Sequence, residues 1–186
     1  MAADISALGA WTGKERSSPR AATDRGPDAA PLARLFAVLD AFPGLVGYLN
    51  TRRNSGGVVA VNSEADVQDL LYIALKPIFA DLVYEEPTRK GAAGYSIGDF
   101  WLPCLKLVLE AKYINTTGDV KAKADEMSQD IWKYSTQGDC QRILFFVYDP
   151  HLLIPDRANY AAGLSTKAGQ VKGRGGVVEI QTMIKP

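Results

Sequence analysis

Apolar residues recur along this chain with two different periods. Leu32, Leu35, Phe36, Leu39 and Phe42 stand three and four apart, which predicts a helix. Pro43-Gly44 is expected to break it, leaving a short second piece that ends near Leu49. TRRNSGG then reads as a loop or linker, and VVAVN as a short extended segment. Ser63 is a good N-cap with Asp66 three residues on, and Val67, Leu70, Leu71, Ala74, Leu75 and Ile78 give the next helix a broad apolar face. DLVYEEP predicts a short strand, followed by the Gly-rich loop TRKGAAGY.

The segments 96–102 and 105–113 read as two strands of an antiparallel hairpin around Pro103-Cys104. Val120, Ala124, Met127, Ile131 and Tyr134 then mark an amphipathic helix ended by Gly138. RILFFVYDP is a continuous apolar run closed by Asp-Pro, as expected of a strand in the sheet interior. A polar stretch able to hold a further helix leads to GGVVEIQTMI, a last strand. The order α-β-β-β-α-β-(α)-β is that of an α/β domain with a mixed sheet.

Charged residues interrupt this pattern in one telling place. Glu110 and Lys112 sit on the second hairpin strand, where buried charges are costly unless paired or bound to a metal. Residues two apart share a strand face, so both point the same way, with Val108 beneath them. A two-residue turn at Pro103-Cys104 puts Asp99 opposite Val108, one diagonal step from Glu110 on that face. A connection longer by an even number keeps the face; a one-residue bulge destroys it. Two carboxylates so placed suit a hard divalent cation such as Mg²⁺, with Mn²⁺ able to substitute. Such a cation activates water and stabilises charge on a phosphoryl oxygen, and an adjacent lysine offsets developing charge, which is the chemistry of phosphodiester hydrolysis. A lysine in that role is expected to oppose carboxylates more than to pack, so removing it should barely change the melting temperature.

The acid-x-Lys pattern alone is weak, since Asp119-Val120-Lys121 repeats it at the entry to a helix. Glu64 is a candidate third acid, or simply a helix-dipole partner in a first turn. Asp130, Lys133 and Tyr134 lie beside the apolar stripe of the later helix, where solvated or capping roles compete with catalytic ones. Arg89 and Lys90, with Lys167, Lys172 and Arg174, fall in predicted loops that are either solvated or meet backbone phosphates.

Composition narrows the alternatives. The 186 residues suffice for one domain and a tail, and 47% hydrophobic with 23% charged content is that of a globular protein. Residues 1–30 lack any sustained period and are expected to be disordered. No signal peptide and no continuous apolar run of about 18 residues is evident, which predicts a cytoplasmic protein. Lys plus Arg equals Asp plus Glu at 21 each, so nucleic acid cannot be held by bulk charge. The lone His151, the absence of phosphate-cradling Gly motifs, and two cysteines without zinc spacing leave other chemistries poorly supplied.

Asp99 with Glu110-Ala111-Lys112 resembles the core of the PD-(D/E)XK nuclease superfamily, although Gly98 stands where its motif has proline. SEADVQDLL, YEEPTRK, DFWL, VLEAKY, DIWKY, CQRILFFVYDP and GGVVEIQTMIKP are similar, over about residues 63–186, to the nuclease domain of DpnII/MboI-type restriction endonucleases. The resemblance implies an αβββαβ restriction-endonuclease-like core, extended here by N-terminal helices. It implies metal binding and catalysis by Asp99 and Glu110, a catalytic role for Lys112 and an assisting one for Glu64; Ala111 is a further candidate metal contact, and Arg89, Lys90 and Tyr134 are candidate contacts to DNA. The expected division is a tail over 1–30, a helical extension and linker over 31–56, and the nuclease-like domain over 57–186. The expected function is Mg²⁺-dependent DNA cleavage in prokaryotic restriction or anti-phage defence. The alternatives are an inactive binding or assembly module and an RNase of the same fold. A second copy, a partner protein or a fused domain is the expected source of the missing affinity. The apolar face of the first helix can serve that contact or pack on its own domain.

Overall fold

A computed structural model describes residues 29–51, 60–84, 98–135, 139–168, 172–173 and 176–186. The helices are α1 (Ala29–Thr51), α2 (Glu64–Leu75), α3 (Thr117–Ser135) and α4 (Arg157–Ala168). The strands are β1 (Val83–Tyr84), β2 (Phe100–Leu102), β3 (Leu107–Tyr113), β4 (Arg142–Tyr148), β5 (Lys172–Gly173), β6 (Gly176–Val177) and β7 (Glu179–Lys185). Five of these form one mixed sheet in the order β1-β2-β3-β4-β7, while β5 and β6 make a separate two-stranded pair. β1, β2 and β3 run antiparallel in turn; β3, β4 and β7 run parallel. The α/β class and the interior place of the 143–148 run are as the sequence predicts.

The sheet divides the core. On one face Leu35, Leu39 and Phe42 of α1 and Val67, Leu71 and Leu75 of α2 meet Leu109 and Ala111 of β3 and Phe146 of β4. On the other, Met127, Ile131 and Tyr134 of α3 and Leu164 of α4 meet Val108, Ile143, Phe145 and Val147. Alternate residues of β3 and β4 thus serve opposite layers, so β4 is apolar on both faces, while β3 is apolar on one and carries Glu110 and Lys112 above Val108 on the other.

α1 departs from expectation. It runs unbroken through Pro43, whose missing N–H and ring normally cost a helix about 3 kcal/mol. Phe42 and Val46 are buried on either side of that proline, and Phe42 meets the rings of Phe146 and Tyr148 edge-on at 5.1 and 5.2 Å. Burial contributes about 1.5–3 kcal/mol per large side chain, so the core holds together a helix that local propensity would end. The same helix is long and apolar enough, by composition, to cross a membrane; here Leu35, Leu39 and Phe42 are at most 1% exposed within the core. The stripe of Leu35, Leu39, Phe42 and Val46 is thus packed inside the chain.

α2 begins as predicted, with the Ser63 hydroxyl accepting from the Asp66 amide at 3.2 Å and donating to its carboxylate at 2.7 Å. The helix ends at Leu75, so Ile78 lies beyond it and is exposed rather than part of the buried face. Asp119, the acid of the second acid-x-Lys triplet, accepts from the amides of Asn115 and Thr116 and caps the entry to α3. The terminus predicted for α3 at Gly138 lies outside the described residues, as do residues 1–28 and most of the linker, while Ala29 and Ala30, expected in the tail, open α1.

After β4 the chain turns on Asp149, which is fully buried and accepts from the amides of Leu153 at 2.8 Å and Ile154 at 3.0 Å, with Arg157 at 3.7 Å. Asp149→Ala strands both amides, a loss of about 2–4 kcal/mol. Urea unfolding should show the midpoint falling with the m-value unchanged.

Candidate active site

The hairpin connection is longer than two residues. Pro103–Leu105 form a turn of 3-10 helix and Lys106 closes it in the left-handed region at φ 48°, held by hydrogen bonds to Pro103 and from Gln141 and Arg142. Four residues therefore separate the paired Leu102 and Leu107, two more than the predicted turn. The even increment keeps every side chain on its predicted face. It also shifts the register, because Phe100 pairs with Leu109, and so brings Asp99 level with Glu110 instead of diagonal to it.

Two bonds fasten that meeting. The Ala111 amide donates to Asp99 Oδ2 at 2.8 Å, and the Asp99 amide donates to Glu110 Oε2 at 3.3 Å. Lys112 Nζ donates to Glu110 Oε1 at 2.9 Å. Its ammonium also lies 3.6 Å from Glu64, 3.6 Å from Asp130 and 3.9 Å from Glu126. Glu64 projects from the first turn of α2, so it is both a dipole partner and a member of the cluster. Lys123 joins the same group, at 3.1 Å from Glu64 and 3.0 Å from Glu126.

Three elements thus supply one charged site: the β2–β3 hairpin, the N-terminus of α2, and the inner face of α3. Asp130 belongs to it, rather than to solvent. Glu126 and Lys123 were not singled out in the sequence, although 123, 126, 130 and 134 recur at helical steps beside the apolar stripe. Lys133 stays at the periphery, its ammonium 5.1 Å from the centre of the Tyr134 ring.

Tyr134 requires a correction. It was expected to meet nucleic acid, but it is only 1% exposed and its hydroxyl donates to Glu110 Oε2 at 2.8 Å. A side chain sealed beneath the site cannot reach a DNA backbone. Arg89, Lys90 and Arg174 lie outside the described residues. Lys167 falls in α4 and Lys172 in β5 rather than in loops.

Gly98 stands where the superfamily motif has proline, and the packing explains the small residue. A Cβ there would lie 2.4 Å from Val108 Cγ1, 2.9 Å from Glu110 Oε2 and 3.2 Å from Tyr134 Cζ. Any side chain at 98 forces Val108 or the Glu110 carboxylate to shift.

Crowded acids perturb one another. Burial, and then the charge of Glu110, push the Asp99 carboxyl up to about 7, against the Ala111 amide and Lys112, which favour its ionised form. Burial works hardest on the Lys112 ammonium, yet Glu110 and Glu64 prevail and its pKa is raised. Burial, with Glu110 next to it, raises Tyr134 so far that the phenol keeps its proton and can donate it to Glu110. Asp130 is raised by burial and by Glu110.

Among the described residues no three acidic, histidine or cysteine side chains are gathered closely enough to hold a metal ion by themselves. What is present beside Lys112 is a pair of oxygen donors, Asp99 and Glu110, on one strand face. That pair suits a hard cation such as Mg²⁺, which is commonly held by one or two carboxylates and otherwise keeps its waters. Ala111 has no side-chain donor, and the contact seen from it is its amide bond to Asp99.

A sequence model of the DpnII-MboI restriction endonuclease family matches residues 35–180, from within α1 to β7. The match takes in Asp99, Glu110, Lys112, Glu64 and Tyr134 and starts well ahead of the region, 63–186, that carries the resemblance in the sequence. No curated protein and no solved structure matches the chain.

Proposed function

The chain belongs to the DpnII/MboI restriction endonuclease family, and from that premise we propose that it hydrolyses DNA phosphodiester bonds with a divalent cation held by Asp99 and Glu110. The observation that carries this reading is the convergence of Asp99, Glu110 and Lys112 on one face, with Glu110 Oε1 2.9 Å from Lys112 Nζ. Five carboxyls, from Asp99, Glu110, Glu64, Glu126 and Asp130, face two ammonium groups there. A phosphodiester adds further negative charge, so a cation is needed before substrate can approach. When bound, Mg²⁺ supplies a water of lowered pKa and a positive centre for the phosphoryl oxygens. Lys112, buried and charged, then orients a water or offsets charge that develops on phosphate. Glu64 and Asp130, each 3.6 Å from its ammonium, help to hold the lysine.

This assigns the PD-(D/E)XK type to the site, with Asp99 and Glu110 as metal ligands, Lys112 as the catalytic cation and Glu64 as the assisting acid. Ala111 contributes through its main chain. The setting we assign is prokaryotic restriction or anti-phage defence in the cytoplasm, where the substrate is. A chain of zero formal net charge holds DNA weakly, so productive cleavage draws on a second copy, a partner protein or a fused recognition domain.

Purified protein with supercoiled plasmid tests the proposal. Nicked or linear product is expected with Mg²⁺ or Mn²⁺, and none with EDTA. Cleavage of RNA but not DNA turns the reading to an RNase. Intact DNA and RNA under both metals turn it to a binding module.

A further inference from the structure

Glu110 is held at both carboxylate oxygens. Oε1 accepts from Lys112, while Oε2 accepts from the Tyr134 hydroxyl at 2.8 Å and, more loosely, from the Asp99 amide at 3.3 Å. The terminal torsion of a glutamate is soft, so a carboxylate beside another carboxylate turns away unless something stops it. Tyr134 stands where it can. It lies on α3, one turn beyond Asp130, which approaches Lys112 at 3.6 Å. Its ring borders the space above Gly98, where an added Cβ would lie 3.2 Å from Cζ, with Met127 and Ile131 of the same helix buried in the same layer. The hydroxyl therefore has one direction available, and Glu110 Oε2 is in it.

We infer that Tyr134 is a positioning residue: its hydroxyl fixes the Glu110 carboxylate so that Oε1 is presented to the cation and to Lys112. The inference rests on the metal-binding reading of Asp99 and Glu110. Groups that hydrogen-bond metal-ligating carboxylates set their orientation, and losing one weakens metal binding by 10- to 100-fold in general. Here Tyr134→Phe removes the shorter of the two bonds to Oε2 and keeps the buried ring in its layer of the core. The carboxylate is left with the long bond from Asp99 and swings toward Lys112. A tyrosine that merely filled space would tolerate the change, since phenylalanine fills it as well.

Calorimetric titration of the full chain with Mn²⁺ alone, without DNA, reads the difference directly. Wild-type protein should bind Mn²⁺, and Tyr134→Phe about tenfold more weakly. In plasmid cleavage the variant should lose kcat at a fixed Mg²⁺ concentration, keep its KM for DNA, and recover partly at higher Mg²⁺. Unchanged Mn²⁺ affinity in a folded Tyr134→Phe that cleaves like the wild type overturns this inference alone. Failure of the wild type to bind any Mn²⁺ overturns the metal reading beneath it as well.

Discussion

Asp99→Asn should abolish cleavage and, without metal, give a protein more stable than the wild type at pH 8. The cause is the carboxyl pushed up to about 7 by burial and by Glu110. Between its ordinary pKa of 3.8 and that value, the folded protein binds a proton that the unfolded chain does not. Stability therefore falls as pH rises through this window, and the full cost, up to about 4 kcal/mol, is present only above it. Below about pH 4 the carboxyl is protonated in both states and costs nothing. Asparagine keeps an acceptor for the Ala111 amide and carries no charge. Urea unfolding in EDTA should show the gap between variant and wild type widest at pH 8 and narrowing toward pH 5. Mg²⁺ should narrow it at pH 8, since a cation beside Asp99 and Glu110 stabilises only the ionised pair. A gap independent of pH would mean that Asp99 titrates as an ordinary surface acid, and the crowding argument would fall.

Lys112→Ala should cost more than catalysis. In the sequence this lysine looks dispensable for stability, as a side chain that opposes carboxylates without packing. In the structure it is 5% exposed and lies within 4 Å of Glu64, Glu110, Glu126 and Asp130. Removing it leaves the buried Glu110 carboxylate without its cation, a loss of about 3–5 kcal/mol. For a chain of this size that is a fall in melting temperature of roughly 10 °C. Plasmid cleavage should disappear with it. Because a divalent cation can replace part of the lost charge, Mg²⁺ should raise the melting temperature of the variant more than that of the wild type. A variant that melts with the wild type in EDTA would show that the lysine is not the counter-ion of this cluster. One that still cleaves would remove it from catalysis.

The face shared by Asp99, Glu110 and Lys112 was legible because it follows from covalent geometry. Side chains alternate along a strand whatever surrounds it, and an even change in loop length cannot move them to the other side. The register was not legible. Whether two or four residues connect the strands depends on Pro103–Leu105 folding into a 3-10 turn and on Lys106 adopting a positive φ. Contacts made far along the chain hold that conformation, among them Asp81 to the Cys104 amide and Arg142 to the Leu105 carbonyl.

By itself the sequence determined the α-β-β-β-α-β order, the buried β4 run, the Ser63 cap and the three charged residues at the heart of the site. These depend on periodicity, local hydrogen bonding and residue type, which travel with the chain. Only the tertiary structure decided that α1 passes unbroken through Pro43, because burial of Phe42 and Val46 outweighs a local penalty. It alone recruited Glu126, Asp130 and Lys123 from α3 into the charge cluster, and sealed Tyr134 beneath Glu110 instead of leaving it to meet DNA. Amphipathic spacing says that a helix has an inner face; which charged neighbours that face meets depends on how the helix docks across the sheet.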